Sequence, residues 1–151
     1  MGLGVYLTLK WLHVLSATVV IGGIATLPLV RAFARRERLG DAPVARILEA
    51  IGTRLVVPAA GLLLVTGLLL ASGFSWVGSL YTLVGARWPL LGLGLWVLIA
   101  LLMSTLVGAT ARRLARGDTD AALWTRWRIG LASAGVLLVA AEAVMVFKPA
   151  L

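Results

Sequence analysis

Long apolar runs alternate along this chain with short clusters of arginine. Four runs stand out, at about 5–30, 55–72, 88–111 and 129–147. Each is long enough for one helical crossing of a bilayer, whose hydrocarbon core takes roughly 20 residues. In lipid only helices and closed barrels satisfy every backbone group, and these runs are too long and continuous for barrel strands. Pro89 suits the first turn of the third run, and Lys148-Pro149 stops the fourth. The pattern predicts an all-α integral membrane four-helix bundle that forms one domain over residues 1–151, with no linker or second domain.

The polar segments set the orientation. Arg31, Arg35, Arg36, Arg38, Arg46 and Arg54 lie between the first two runs, and Arg112, Arg113, Arg116, Arg126 and Arg128 between the last two. The other side offers Lys10, Arg87 and Lys148. The positive-inside rule then puts both arginine-rich loops in the cytoplasm and both termini outside, across a bacterial inner membrane. In the first loop, Val44, Ile47, Leu48 and Ile51 recur on one face, predicting a short helix begun at Ala42-Pro43, capped by Asp41 and lying along the membrane surface. The outer segment 73–87, with Phe74, Trp76, Leu80 and Tyr81, has an interfacial composition.

A faint repeat accompanies this layout. Ala34-Arg35-Arg36 with Gly40-Asp41 matches Ala111-Arg112-Arg113 with Gly117-Asp118, and Lys10-Trp11 matches Arg87-Trp88 at the same spacing. Two hairpins of like orientation would be related by an axis along the membrane normal. Chance recurrence of topology signals explains the match equally well. His13 aligns with Leu90, so the histidine belongs to one half only.

Composition agrees with lipid as the solvent. Of the 151 residues, 61% are hydrophobic and 13% charged, and the mean hydropathy is +1.03. A water-soluble domain has about a quarter of its residues charged. The net charge of +8 follows the topology signals, so nucleic acid is not the expected partner. No cysteine is present, which removes disulfides and thiolate chemistry. Met1-Gly2-Leu3-Gly4 lacks a basic leader, so the first run is expected to be retained.

Four outer-side residues are not explained by topology: Lys10, His13, Glu142 and Lys148. A charged group inside hydrocarbon is costly and usually faces a partner or marks function. At the rise of an α-helix, His13 lies about 4.5 Å deeper than Lys10, and Glu142 about 9 Å deeper than Lys148. His13 and Glu142 thus reach similar depth, and one polar pocket collects all four residues if the first and last spans are neighbours. His13 suits an axial haem ligand, hence a metal-binding residue, or a proton carrier; a structural hydrogen bond is the plainer reading. Glu142 suits a proton relay or ligand contact, or simply a partner for Lys10 or Arg87. Lys10 and Lys148 suit porphyrin propionates, or else snorkel to the interface. The six tryptophans are read mostly as interfacial belt residues. Nucleotide loops, zinc-protease helices and copper-type clusters are absent from the sequence.

Leu9-Lys10-Trp11-Leu12-His13-Val14, then Gly22-Gly23 and Pro28, and the ending Met145-Val146-Phe147-Lys148-Pro149 resemble the HemJ-type family of small membrane proteins. The chain is most similar to an uncharacterised bacterial four-helix family related to HemJ and to the CopD-like membrane domain. HemJ-type proteins are protoporphyrinogen oxidases that bind haem b. The resemblance implies that His13 and Lys148 are the first-span histidine and last-span lysine of the site. The start of the third run departs from it: Trp88 is followed by Pro89-Leu90-Leu91, where the HemJ pattern has a histidine and a lysine. Two functions follow as expectations. One is a haem- or porphyrin-associated role in the outer half, by an enzyme or by a scaffold without the oxidase chemistry. The other is a non-enzymatic accessory subunit, packed through small residues such as Ser16, Ala17, Gly22, Gly23, Gly130 and Ala134 in a homodimer or a larger respiratory or transport complex.

Overall fold

A computed structural model describes residues 2–71, 87–118 and 120–147. Phe74, Trp76, Leu80, Tyr81 and Lys148 lie outside the described residues. The elements are α1 (Leu3–Arg36), α2 (Asp41–Ile51), α3 (Val57–Ala71), α4 (Arg87–Leu102), α5 (Ala109–Ala115) and α6 (Ala121–Phe147). Two π-helical stretches, Gly52–Val56 and Met103–Gly108, join α2 to α3 and α4 to α5. The chain therefore runs as four rods, each long and apolar enough to cross a membrane.

The rods overshoot the apolar runs at the arginine-rich end. Helix α6 begins at Ala121 rather than near Ile129, because its first turns are amphipathic. Arg126 and Arg128 are exposed there, while Leu123, Trp124 and Trp127 are buried. Asp120 starts the helix by accepting the Ala122 N–H at 2.8 Å, satisfying one of the orphan donors of a helix N-terminus. Asp120→Ala is expected to cost about 1 kcal/mol, read as a lower apparent Tm in detergent.

Helix α2 corrects one expectation. Asp41 is its first helical residue, and Gly40 holds the cap position without a side-chain bond. The Asp41 carboxylate therefore acts through the positive end of the helix dipole. The buried face of Val44, Ala45 and Leu48 packs on α5 and α1. The helix leads into the second span through the π-helical stretch Gly52–Val56.

The turns after α1 and α5 close alike. Leu39 N–H donates to the Ala34 carbonyl (2.9 Å) and Arg38 N–H to that of Arg35 (3.3 Å); Asp118 N–H donates to Arg113 (3.2 Å) and Gly117 N–H to Leu114 (3.0 Å). This is the Schellman pattern, with its left-handed residue at Arg38 (φ 53°) and Gly117 (φ 92°). Arg38 thus corresponds to Gly117, two positions away from the register of the sequence repeat. Gly40, which that repeat paired with Gly117, is extended (φ −63°, ψ 149°). Beyond the second turn, Asp118 receives the Asp120 N–H (3.2 Å) and two bonds from Arg113 (3.0 and 2.6 Å). These donors, the Asp120 N–H first and Arg113 next, hold its carboxyl below the ordinary carboxylate range. That contribution to stability is present above the unfolded pKa and is lost as pH falls through the lower folded value.

Packing is uneven. Within the bundle α1 pairs with α3, α4 with α6 and α2 with α5, while α1 and α6 touch only lightly. The fully buried side chains concentrate at the arginine-rich end, around Leu27, Ala34, Ala45, Leu48, Leu114, Leu123 and Trp127. Large apolar residues elsewhere, such as Leu3, Val136, Val139 and Val146, are exposed, as suits a surface solvated by lipid.

Candidate functional site

His13 is half-buried on α1 and faces α3, not α6. Its Nδ1 lies 3.0 Å from Thr66 Oγ1, and Thr66 is 2% exposed. The Thr66 hydroxyl has one proton, which it directs back along its own helix to the Leu62 carbonyl at 2.7 Å, with Leu63 at 3.2 Å. This back-bonding is the habit of threonine inside a helix. The Thr66 oxygen is then an acceptor, so the His13 Nδ1–H donates to it. The neutral ring is held in the tautomer that leaves the Nε2 lone pair free. A fixed Nδ1–H bond of this kind orients metal-ligating histidines. Gly67 makes room for the ring: a Cβ there would lie 3.0 Å from His13 Cε1.

The other three expected site residues are placed less closely. Lys10 is exposed one turn further out on α1 and makes no ion pair with a described residue. Glu142 is half-buried on α6, and no hydrogen bond joins it to the His13 ring. Lys148 lies outside the described residues. Thr66 and Gly67, which sequence reasoning passed over, are the groups that actually touch the histidine. A lone threonine in an apolar helix carried no signal beyond being the one hydroxyl in α3. Among the described residues, no three histidine, aspartate or glutamate side chains converge to hold a metal ion.

A second polar cluster sits at the opposite, arginine-rich end. The Arg31 guanidinium lies over the Trp124 ring, with Cζ 3.6 Å from its centroid, and 5.7 Å from that of Trp127. The two indoles meet edge to face at 5.8 Å and 81°. Trp124 and Trp127 are thus core residues rather than belt residues, and Arg31 is a half-buried cation stacked on them rather than a simple topology marker.

Four rods long and apolar enough to cross a membrane, with large apolar side chains on the exterior, define a multi-pass integral membrane protein. The chain belongs to the DUF2269 family of predicted integral membrane proteins, which it matches over residues 7–149. Neither the curated proteins nor the solved structures include a match to it.

Proposed function

We propose that the protein has a HemJ-like, haem- or porphyrin-associated role in the outer half of the bundle, in which His13 Nε2 would hold the iron of a haem b. The observation that carries this reading is the Thr66–His13 hydrogen bond, which fixes the ring and frees Nε2. The donor set suits such a group: one neutral imidazole, with Lys10 one turn outward on the same helix as a cation for a propionate. The motif around His13 and the Lys148-Pro149 ending support the same assignment, with Lys148 as a second cation and Glu142 as an acid in the same half of the bundle. Haem would supply redox or ligand-binding chemistry; the chain supplies the ligand, its tautomer and the charges around it. Trp88 is followed by Pro89-Leu90-Leu91, so the start of α4 would offer no histidine or lysine to such a group, and a haem- or porphyrin-holding role without oxidase activity fits best. The arginine distribution supports an orientation with both termini outside a bacterial inner membrane.

The test is the visible spectrum of protein purified after haem supply. A Soret band is expected that His13→Ala abolishes. Thr66→Val is expected to weaken haem affinity about 10- to 100-fold, the usual effect of losing the group that orients a ligating histidine. A spectrum without a Soret band, or one unchanged in His13→Ala, overturns the proposal. The accessory-subunit reading gains if that blank spectrum is joined by co-purification of another membrane protein in mild detergent.

A further inference from the structure

The arginine-rich end contains a cleft of about 430 Å³ between α1, the start of α2 and the start of α6. Arg31, Arg35, Arg128, Asp41, Trp124 and Thr125 line it. Three guanidiniums thus face one carboxylate, and Asp41 pairs with none of them: the ion pair formed among the described residues is Arg113–Asp118. Three positive charges share the cleft with one negative charge, and positive charge is in excess.

Three donors in this cluster are also unsatisfied. Arg31 Nη1, Trp124 Nε1 and Trp127 Nε1 are shielded from solvent and have no hydrogen-bond partner among the described residues, and the first two belong to residues that line the cleft. Trp124 is 9% exposed, so its indole N–H cannot turn to water for compensation. A buried donor left unpaired is costly, and a buried charge more so. The arrangement persists at the end of a membrane span, where Arg31 is also pinned by its stack on Trp124. Such a set of donors matches an anion with several oxygens. The planar guanidinium fork pairs two oxygens of a phosphate at once, and the indole N–H adds a neutral donor. Ala121 brings the start of α6 to the same cleft, adding the positive end of a helix dipole.

We infer that this cleft is a phosphate-binding site, held by Arg31, Arg35, Arg128 and the Trp124 indole N–H. The phosphate comes either from an anionic lipid headgroup or from free phosphate in solution. Its place at the end of the spans, where Arg31 follows directly on the apolar run, suits a headgroup whose acyl chains continue along the lipid-facing helices. Basic pockets between membrane helices bind anionic lipids by this geometry.

Native mass spectrometry of the full chain in detergent tests the inference, with phosphatidylglycerol, phosphatidylcholine or inorganic phosphate added. Phosphatidylglycerol is expected to bind in preference to phosphatidylcholine. Arg31→Gln and Arg128→Gln are each expected to weaken that binding about tenfold, the usual effect of losing a charge-assisted hydrogen bond. Trp124→Phe keeps the stacked ring and removes only the N–H, so it answers the question even if the arginine variants fold poorly; a several-fold loss is expected. Arg113→Gln, which breaks the surface pair with Asp118, is expected to leave binding unchanged. Competition by millimolar inorganic phosphate, lost in the same variants, identifies free phosphate as the source. Equal binding of both lipids and no phosphate binding, or adducts undiminished in Arg31→Gln and Trp124→Phe, overturns the site.

Discussion

Trp127→Ala is expected to destabilise the protein by about 3–5 kcal/mol, the usual cost of deleting a large aromatic side chain from a packed interior. Trp127 is 1% exposed and is the largest fully buried side chain among the described residues. It belongs to the cluster that ties α1, α2, α5 and α6 together, with Leu27, Ala45, Leu48, Ala111 and Leu114. This is the part of the molecule that most resembles the core of a soluble protein, because α2 and α5 cover it. Elsewhere burial between helices exchanges lipid contacts for protein contacts and yields little hydrophobic driving force. Deleting the ring therefore removes packing where the fold has most of it. It also removes the edge-to-face partner of Trp124, which supports the stacked Arg31. The measurement is the apparent Tm of the solubilised protein beside that of Trp11→Ala, whose ring is 62% exposed. Equal small losses in the two variants would show that the inner cluster is not the stabilising core.

The difference between those tryptophans marks the limit of what the chain's pattern revealed. The four spans were legible because hydrocarbon imposes one strong rule, apolar side chains over roughly 20 residues. The helix ends were less so. Arg126 and Arg128 look like loop residues, yet they occupy the outward face of a helix whose other face holds Leu123, Trp124 and Trp127. Hydropathy averaged along the chain mixes the two faces and ends the span too early. At the candidate site, His13 was identifiable because a lone imidazole in an apolar run is expensive, and Lys10 follows from its spacing. Its neighbours were not identifiable, since they depend on which spans pair. Local spacing fixes depth along a helix but carries no information about adjacency, and α1 packs on α3 rather than chiefly on α6. That choice gives His13 a hydroxyl partner in Thr66 and leaves Glu142 without a hydrogen bond to the ring.

Adjacency is enforced by glycines set opposite the two π-helical stretches, and the largest effect after Trp127 is expected there. A Cβ on Gly130 would lie 2.8 Å from Leu106 Cβ and 3.3 Å from Val107 Cγ2. Gly23 faces Val56 in the same way, with Val56 Cγ2 at 2.6 Å. A π-helical turn widens its helix locally, and in each hairpin the side chains it carries meet a helix that has no side chain at that point. Gly130→Val is expected to cost about 3 kcal/mol, the upper end for overpacking a filled site. Leu106 Cβ is fixed to the backbone, so no rotamer change relieves the clash; the Met103–Gly108 stretch must move away from α6. At Gly23 the obstacle is a valine methyl, and Gly23→Ala is expected to be milder. Gly22→Ala is the control, because no atom lies within 4 Å of its Cβ position. Removing a glycine from a helix there should be neutral or stabilising by up to about 1 kcal/mol. The ranking Gly130→Val, Gly23→Ala, Gly22→Ala in falling loss of apparent Tm checks the packing directly. A Gly130→Val protein as stable as Gly22→Ala would mean that α6 does not press against the π-helical stretch at Leu106.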